Sequence, residues 1–207
     1  MNKLLISLLL IGTLQAAEQE KPALTSKLSR HSPDGKFAMR IVHEAREEPL
    51  RSEAIRRIEL VAVASGKAVA QLLPKDDVET HFEGWRLLWS PDSKWCAFYY
   101  QHPRTGYTTV FRRVENRFAA ANKPWALTDR TAAGDMRNQY VKPIRWNSDG
   151  RLLLYQWTIS RTPNGGVESY AELTAGYDDK KRTFRVLKTR ELTEEEAEKL
   201  DEETGKE

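Results

Sequence analysis

Four histidines, His31, His43, His81 and His102, are the only imidazoles in this 207-residue chain. No two stand at the i, i+4 spacing that would put a metal-binding pair on one helix face. His43-Glu44 begins as a zinc helix motif does, but Glu47 stands where the second histidine is required. There is no Gly-x-Ser-x-Gly elbow to expose an activated serine, and no length for an α/β-hydrolase domain around one. A glycine loop that could cradle phosphate is also missing. Two groups of acids remain: Asp76, Asp77, Glu79 and Glu83, and then Asp129 with Asp135. Paired carboxylates can hydrolyse a glycosidic bond when the fold brings them together. The sequence therefore predicts no enzyme, no metal and no cofactor, with a glycan- or peptide-acting hydrolase built on these loop carboxylates as the alternative.

Binding chemistry is better supplied. Trp85, Trp125 and the Tyr99-Tyr100 pair read as lying in or near loops, where a flat ring can stack on a sugar or anchor a partner protein. Arg104, Arg112, Arg113 and Arg137 add a cationic element. Trp89, Trp95, Trp146 and Trp157 fall on strands and read as core.

The elements that must position these residues are marked by a repeated phrase. Ser32-Pro33-Asp34-Gly35-Lys36-Phe37 returns as Ser90-Pro91-Asp92-Ser93-Lys94-Trp95, 58 residues on, and in weaker form as Asn147-Ser148-Asp149-Gly150-Arg151-Leu152 after a further 57. A fixed period marks a repeated structural unit. Proline pre-sets φ, aspartate accepts backbone hydrogen bonds, and glycine enters the left-handed region, so the phrase reads as a tight turn. Strands follow at Phe37 to Val42, Trp95 to Tyr100 and Leu152 to Trp157, rich in branched and aromatic residues. A second hairpin comes next in each copy: Ile55 to Val63 with Ala68 to Leu73, Thr108 to Val114 returning at Phe118, and Ser169 to Tyr177 with Thr183 to Lys188. Each copy reads strand, turn, strand, longer loop, strand, turn, strand, which is a four-stranded antiparallel blade.

The run Leu88-Trp89-Ser90-Pro91-Asp92-Ser93-Lys94-Trp95-Cys96-Ala97-Phe98, and the first phrase with its later Ala64-Ser65-Gly66-Lys67 turn, resemble the TolB-type β-propeller repeat, a WD40-like family. The resemblance covers roughly Leu28 to Lys188 and implies an all-β fold of about three blades, partial or three-bladed and propeller-like, with a binding role. Known propellers close with four to eight blades. Three must therefore splay, or pair with another chain, as in a homodimer that completes a ring.

Outside the repeats, Ala119 to Tyr140 is a long connector suited either to binding or to covering a blade edge. Residues 1–17 read as a signal peptide: Met1-Asn2-Lys3, an apolar stretch from Leu4 to Leu14, and the small pair Ala16-Ala17. Residues 18–190 form the blade domain, and 191–207 an acidic tail whose Thr193 and Glu196 make a capping box for a short, weakly docked helix. The tail carries nine acids and two bases, whereas Glu18 to Arg190 carries 30 bases and 21 acids. Such a body suits anionic partners unless the tail folds onto it. A single cysteine, Cys96, cannot form an internal disulfide and reads as a buried hydrophobe. The expectation is thus a periplasmic or secreted protein with no membrane span after signal cleavage and no nucleic-acid role. It would bind an envelope protein or an anionic polymer through its loops.

Overall fold

Strands begin where the turn phrases stop. The computed structural model describes residues 23–45, 54–73, 84–128 and 135–204. The signal-peptide segment, His81, Glu47, the acids Asp76, Asp77, Glu79 and Glu83, and Asp129 all lie outside the described residues. The first unit holds β1 (Leu24–Ser29), β2 (Phe37–Glu44), β3 (Ile55–Ala62) and β4 (Ala68–Gln71). The second holds β5 (Gly84–Trp89), β6 (Trp95–His102), β7 (Thr105–Val114) and β8 (Arg117–Ala120). The third holds β9 (Asp135–Trp146), β10 (Leu152–Thr162), β11 (Gly165–Asp178) and β12 (Thr183–Leu192), and α1 (Glu194–Thr204) follows. Within each unit the strands pair antiparallel in chain order.

The first two turn phrases fold alike, atom for atom. Ser32 donates its hydroxyl to Asp34 Oδ1 at 2.7 Å and accepts Phe37 N at 3.0 Å, while Asp34 Oδ1 also takes Lys36 N at 3.1 Å. Ser90, Asp92, Lys94 and Trp95 repeat these contacts at 2.7, 2.9 and 3.0 Å. The fourth position is left-handed in all three copies, with φ of 68° at Gly35, 57° at Ser93 and 78° at Gly150. Only glycine enters that region without steric cost, so Ser93 carries a strain the other copies avoid. The third turn is one residue tighter: Asn147 N bonds Arg151 O, whereas Ser32 N reaches Phe37 O and Ser90 N reaches Trp95 O.

The separate-blade expectation needs a correction. The first unit is a four-stranded antiparallel sheet, but the second and third merge into one eight-stranded mixed sheet. The join is a short parallel contact of β7 with β9, Thr105 opposite Gln139 and Gly106 opposite Tyr140. The described residues show no closed propeller. The longer loops expected inside the second and third units are two-residue hairpins at Pro103-Arg104 and Pro163-Asn164, so these strands run on further than their apolar stretches suggested.

Three apolar layers hold the stack. Phe37, Met39 and Ile41 of β2 pack with Ile58 and Leu60 of β3 against Cys96, Phe98 and Phe111 of the second unit. Ala97 and Val110 meet Leu152, Leu154 and Leu173 of the third. The outer face of the third unit, Ile144, Leu153 and Tyr155, is covered by Ala197 and Leu200 of α1. Thr193 and Glu196 close the predicted capping box, Thr193 N donating to Glu196 Oε2 at 2.9 Å and Glu196 N to Thr193 Oγ1 at 3.3 Å. Lys142 to Asp201 at 3.1 Å fixes the helix further. No helix among the described residues is long and apolar enough to cross a membrane.

Each interface between units carries the same aromatic triad. Phe118 packs edge-on to Phe37 at 5.0 Å and to Trp89 at 5.5 Å; Phe184 packs on Trp95 at 5.5 Å and on Trp146 at 5.8 Å. Offset and edge-on pairs of this kind contribute beyond their buried area. Phe118→Ala is expected to cost about 3 kcal/mol, through lost transfer energy and the cavity left behind. Val114→Ala, at an exposed position, should change stability by no more than about 0.5 kcal/mol. Urea unfolding of the two variants checks this.

Candidate functional site

All three phrases and all three second-hairpin turns lie at one end of the stack, because β2, β6 and β10 leave that end and β3, β7 and β11 return to it. The tryptophan just before each later phrase ties its unit to the one before. Trp89 Nε1 donates to the Arg30 carbonyl at 2.7 Å, and Trp146 Nε1 to the Leu88 carbonyl at 3.2 Å. Arg30 and Leu88 hold the same place, two residues ahead of their phrases. His31 holds the place of these tryptophans in the first unit.

Between the first and second phrases two further contacts close the turn end. Asp34 N donates to Ser93 Oγ at 3.0 Å, which is what the strained serine supplies in place of glycine. Arg113 Nη1 donates to Asp34 Oδ2 at 3.0 Å, with its guanidinium carbon 4.6 Å from the centre of the Phe37 ring. Burial opposes ionisation of Asp34, but the Ser32 hydroxyl, the Lys36 amide and Arg113 outweigh it and hold the carboxyl below the ordinary range.

Neither contact recurs between the second and third phrases. Gly150 stands where Ser93 stands and has no hydroxyl to offer. Tyr177 packs on Trp95 with ring centres 5.0 Å apart, as Arg113 packs on Phe37, but its hydroxyl accepts Arg112 Nη1 at 3.0 Å. A groove of about 480 Å³ remains, lined by Ser90, Pro91, Asp92, Trp95, Asn147, Ser148, Asp149 and Gly150. Its volume lies within the range of small-ligand clefts. The groove offers an aromatic wall, two carboxylates and a serine hydroxyl. Lys94 Nζ and Arg151 Nε each lie 3.3 Å from the aspartate of their own turn, on side chains more than half exposed. For Asp92, too, burial is outweighed by hydrogen bonds, from Ser90 and then from the Lys94 amide and ammonium, and the carboxyl is lowered. The lining thus combines an aromatic ring with carboxylates that carry Lys94 and Arg151 and with Arg112 over the ring.

The residues singled out from sequence are split between the two ends. Arg112 and Arg113 stand at the turn end, the former over Trp95 and Tyr177, the latter on Asp34. Toward the opposite end lie Trp85, Tyr99, Tyr100, Arg104, Trp125 and Arg137. Tyr99 and Tyr100, expected at a strand end beside a loop, lie inside β6, which runs on to His102, and are only 5% exposed. Tyr99 bonds Gln101 and Tyr100 packs among Phe98, His102 and Tyr107, so neither ring offers a face to a ligand. Trp85 is half-buried on β5 against the first apolar layer. Trp125 sits in a 3₁₀ turn at Pro124–Ala126, exposed yet with its ring against Tyr107. Arg104 and Arg137 are exposed, near where β7 joins β9. Asp135 begins β9.

The sequence places Asp92, Asn147, Ser148 and Asp149 in tight turns and Trp95 in the core, with no pattern that marks them as a site. The signal that could have found them is the alignment of the three phrases, since Gly150 against Ser93 shows which interface lacks its hydroxyl. A comparison with protein-family models finds none that matches the chain, and no curated protein is found to be similar to it.

Asp34 and Asp92 give the turn end a pH dependence. Their folded pKa values lie below the unfolded ones, so the unfolded chain binds more protons between the two, and stability must rise with pH there. The stabilisation is present above about pH 4 and is lost as acid titrates the folded carboxyls. Asp34→Asn should flatten the acid limb of a thermal-midpoint against pH curve, leaving the plateau lower.

Proposed function

We propose that the protein is an exported, non-enzymatic scaffold of the cell envelope, periplasmic or secreted, that binds a partner protein at the turn end of its stack. On this reading the four-stranded units are blades of the TolB-type repeat, three in number and open. The observation that carries the proposal is the groove beside Trp95, left unfilled at one interface and closed at the other by side chains in the same positions. An open cleft with fixed charges of both signs around an aromatic wall suits a protein partner, whose interface combines anchors with polar contacts. The rigid sheets behind it limit the ordering cost of binding.

A second reading, an anionic envelope polymer, draws on a different observation. Lys36, Lys67, Arg117, Lys180, Lys181 and Arg182 are distributed around the same turns, beyond the arginines and lysines already placed on Asp34, Asp92, Asp149 and Asp178. Such a field steers polyanions. Pairing of two chains into a ring is the less favoured companion idea. α1 covers the outer face of the third unit, so a ring using that face must first displace the helix.

The test is photocrosslinking in the native envelope from a photoreactive residue at Ser148, with Val167, exposed at the opposite end, as control. A discrete protein adduct from position 148 and none from 167 is expected. A heterogeneous polymer smear favours the second reading, and no adduct from 148 overturns binding at this end.

A further inference from the structure

The first sheet ends on a strand whose leucines face away from the core it borders. β1 pairs with β2 in the register Leu24 opposite Glu44, Ser26 opposite Val42 and Leu28 opposite Arg40. Lys27 and Ser29 therefore share the face of Ile41 and Met39, which belong to the first apolar layer. Leu24 and Leu28 lie on the other face, 58% and 46% exposed. A slip of one residue would have turned both leucines toward the core, and the chain does not take it. The backbone of β1 is open as well. Ala45 N donates to the Ala23 carbonyl at 2.8 Å. Bonded and non-bonded pairs alternate along an antiparallel ladder, so Leu24, Ser26 and Leu28 turn their amides and carbonyls away from β2. Among the described residues β1 is the outermost strand of its sheet. Edge strands are ordinarily guarded by charges or bulges. β12, at the edge of the larger sheet, carries Arg185, Lys188, Arg190 and Glu191 and a register shift against β11. β1 has only one charge, Lys27.

We propose that β1 is a dimerisation edge, pairing antiparallel with β1 of a second copy of this chain about a two-fold axis at Ser26 and joining the two first sheets into one. The strand is complementary to itself in that register. Leu24 meets Leu28 of the partner subunit, and Leu28 meets Leu24 of the partner subunit, so each exposed leucine covers another. Ser26 meets Ser26 of the partner subunit on the axis. These three are the residues whose amides and carbonyls point outward, and each exchanges both backbone bonds with the residue it meets. Lys27 falls opposite Thr25 of the partner subunit, with no like charge across from it. An axis at Lys27 would set the two ammonium groups against each other. It would also bring together residues whose backbone bonds are already made to β2, as would an axis at Thr25. The fit is thus to a second copy rather than to a strand of arbitrary sequence. Self-complementary two-fold contacts are the commonest route to a dimer, and strand addition at an open edge supplies main-chain bonds for one. This pairing extends a sheet instead of closing a ring, and leaves α1 in place on the third unit. It uses no residue of the groove beside Trp95 and does not rest on the partner binding proposed there.

Sedimentation equilibrium of the chain purified from its native compartment, over about a hundredfold range of concentration, measures the pairing. A monomer–dimer equilibrium is expected. Ser26→Pro removes an amide that β2 does not use and blocks the edge. Ser26→Lys, which keeps every backbone group, places two ammonium groups together on the axis. Each variant should weaken dimerisation at least about tenfold. Ser26→Cys reports the register. Cys96 is buried, so a short bismaleimide should link two chains through position 26, and should fail to link them from Val63→Cys, an exposed position beyond β3 of the same unit. A monomer throughout the concentration range overturns the proposal. So does a dimer that neither Ser26→Pro nor Ser26→Lys weakens, or one that is linked from position 63 and not from 26. None of these outcomes touches the adduct expected from position 148, so loss of the pairing and loss of the partner-binding reading are told apart.

Discussion

Everything in this stack depends on an aromatic interlock repeated at each interface between units. A phenylalanine from the fourth strand of the later unit, Phe118 or Phe184, wedges between the tryptophan before its own phrase and the ring after the preceding one. The same tryptophan donates its N–H to a carbonyl of the earlier unit, so its polar end is satisfied while its ring is half-buried against the apolar layer. Packing and hydrogen bonding thus tie each unit to the one before it at equivalent positions. The interlock also explains where the stack stops. After the tighter third turn Leu152 faces backward, and the next apolar layer belongs to Leu153, Tyr155 and a helix.

Much of this could be read from the chain. Turn chemistry at Ser32, Ser90 and Asn147 places the three strands that follow, and apolar runs ending at Ser65-Gly66, Glu115-Asn116 and Asp178 locate the second hairpins; β9 begins inside the stretch Ala119 to Tyr140, which reads as a connector. The capping box located α1. What escaped was set by geometry that no local pattern carries. A one-residue difference in turn closure at Asn147 reverses which face each following side chain uses. The parallel contact of Thr105 and Gly106 with β9 joins residues over thirty positions apart, and it converts two expected blades into one sheet. The apolar run ends at Tyr100 and so leaves Tyr99 and Tyr100 beside a loop, whereas β6 continues to His102 and buries both.

The candidate site was legible only by comparing the copies. Each phrase alone is a well-made turn, and its aspartate looks fully engaged. Set side by side, Ser93 against Gly150 and Arg113 against Tyr177 become the differences that close one interface and open the other. Ser93 is informative for that reason: a non-glycine residue in the left-handed region is costly, and its hydroxyl bond to the Asp34 amide offsets that cost. Departure from the repeat, rather than adherence to it, is where function is sought.

Native-state hydrogen exchange of two equivalent amides tests this most directly. Asp34 N is bonded across the interface to Ser93 Oγ, whereas Gly150, which holds the place of Ser93 in the next phrase, has no hydroxyl to offer Asp92 N. The Asp34 amide is predicted to exchange at least about tenfold more slowly than the Asp92 amide, since a hydrogen-bonded amide exchanges only on local opening. Equal protection of the two would contradict the difference between the closed and the open interface.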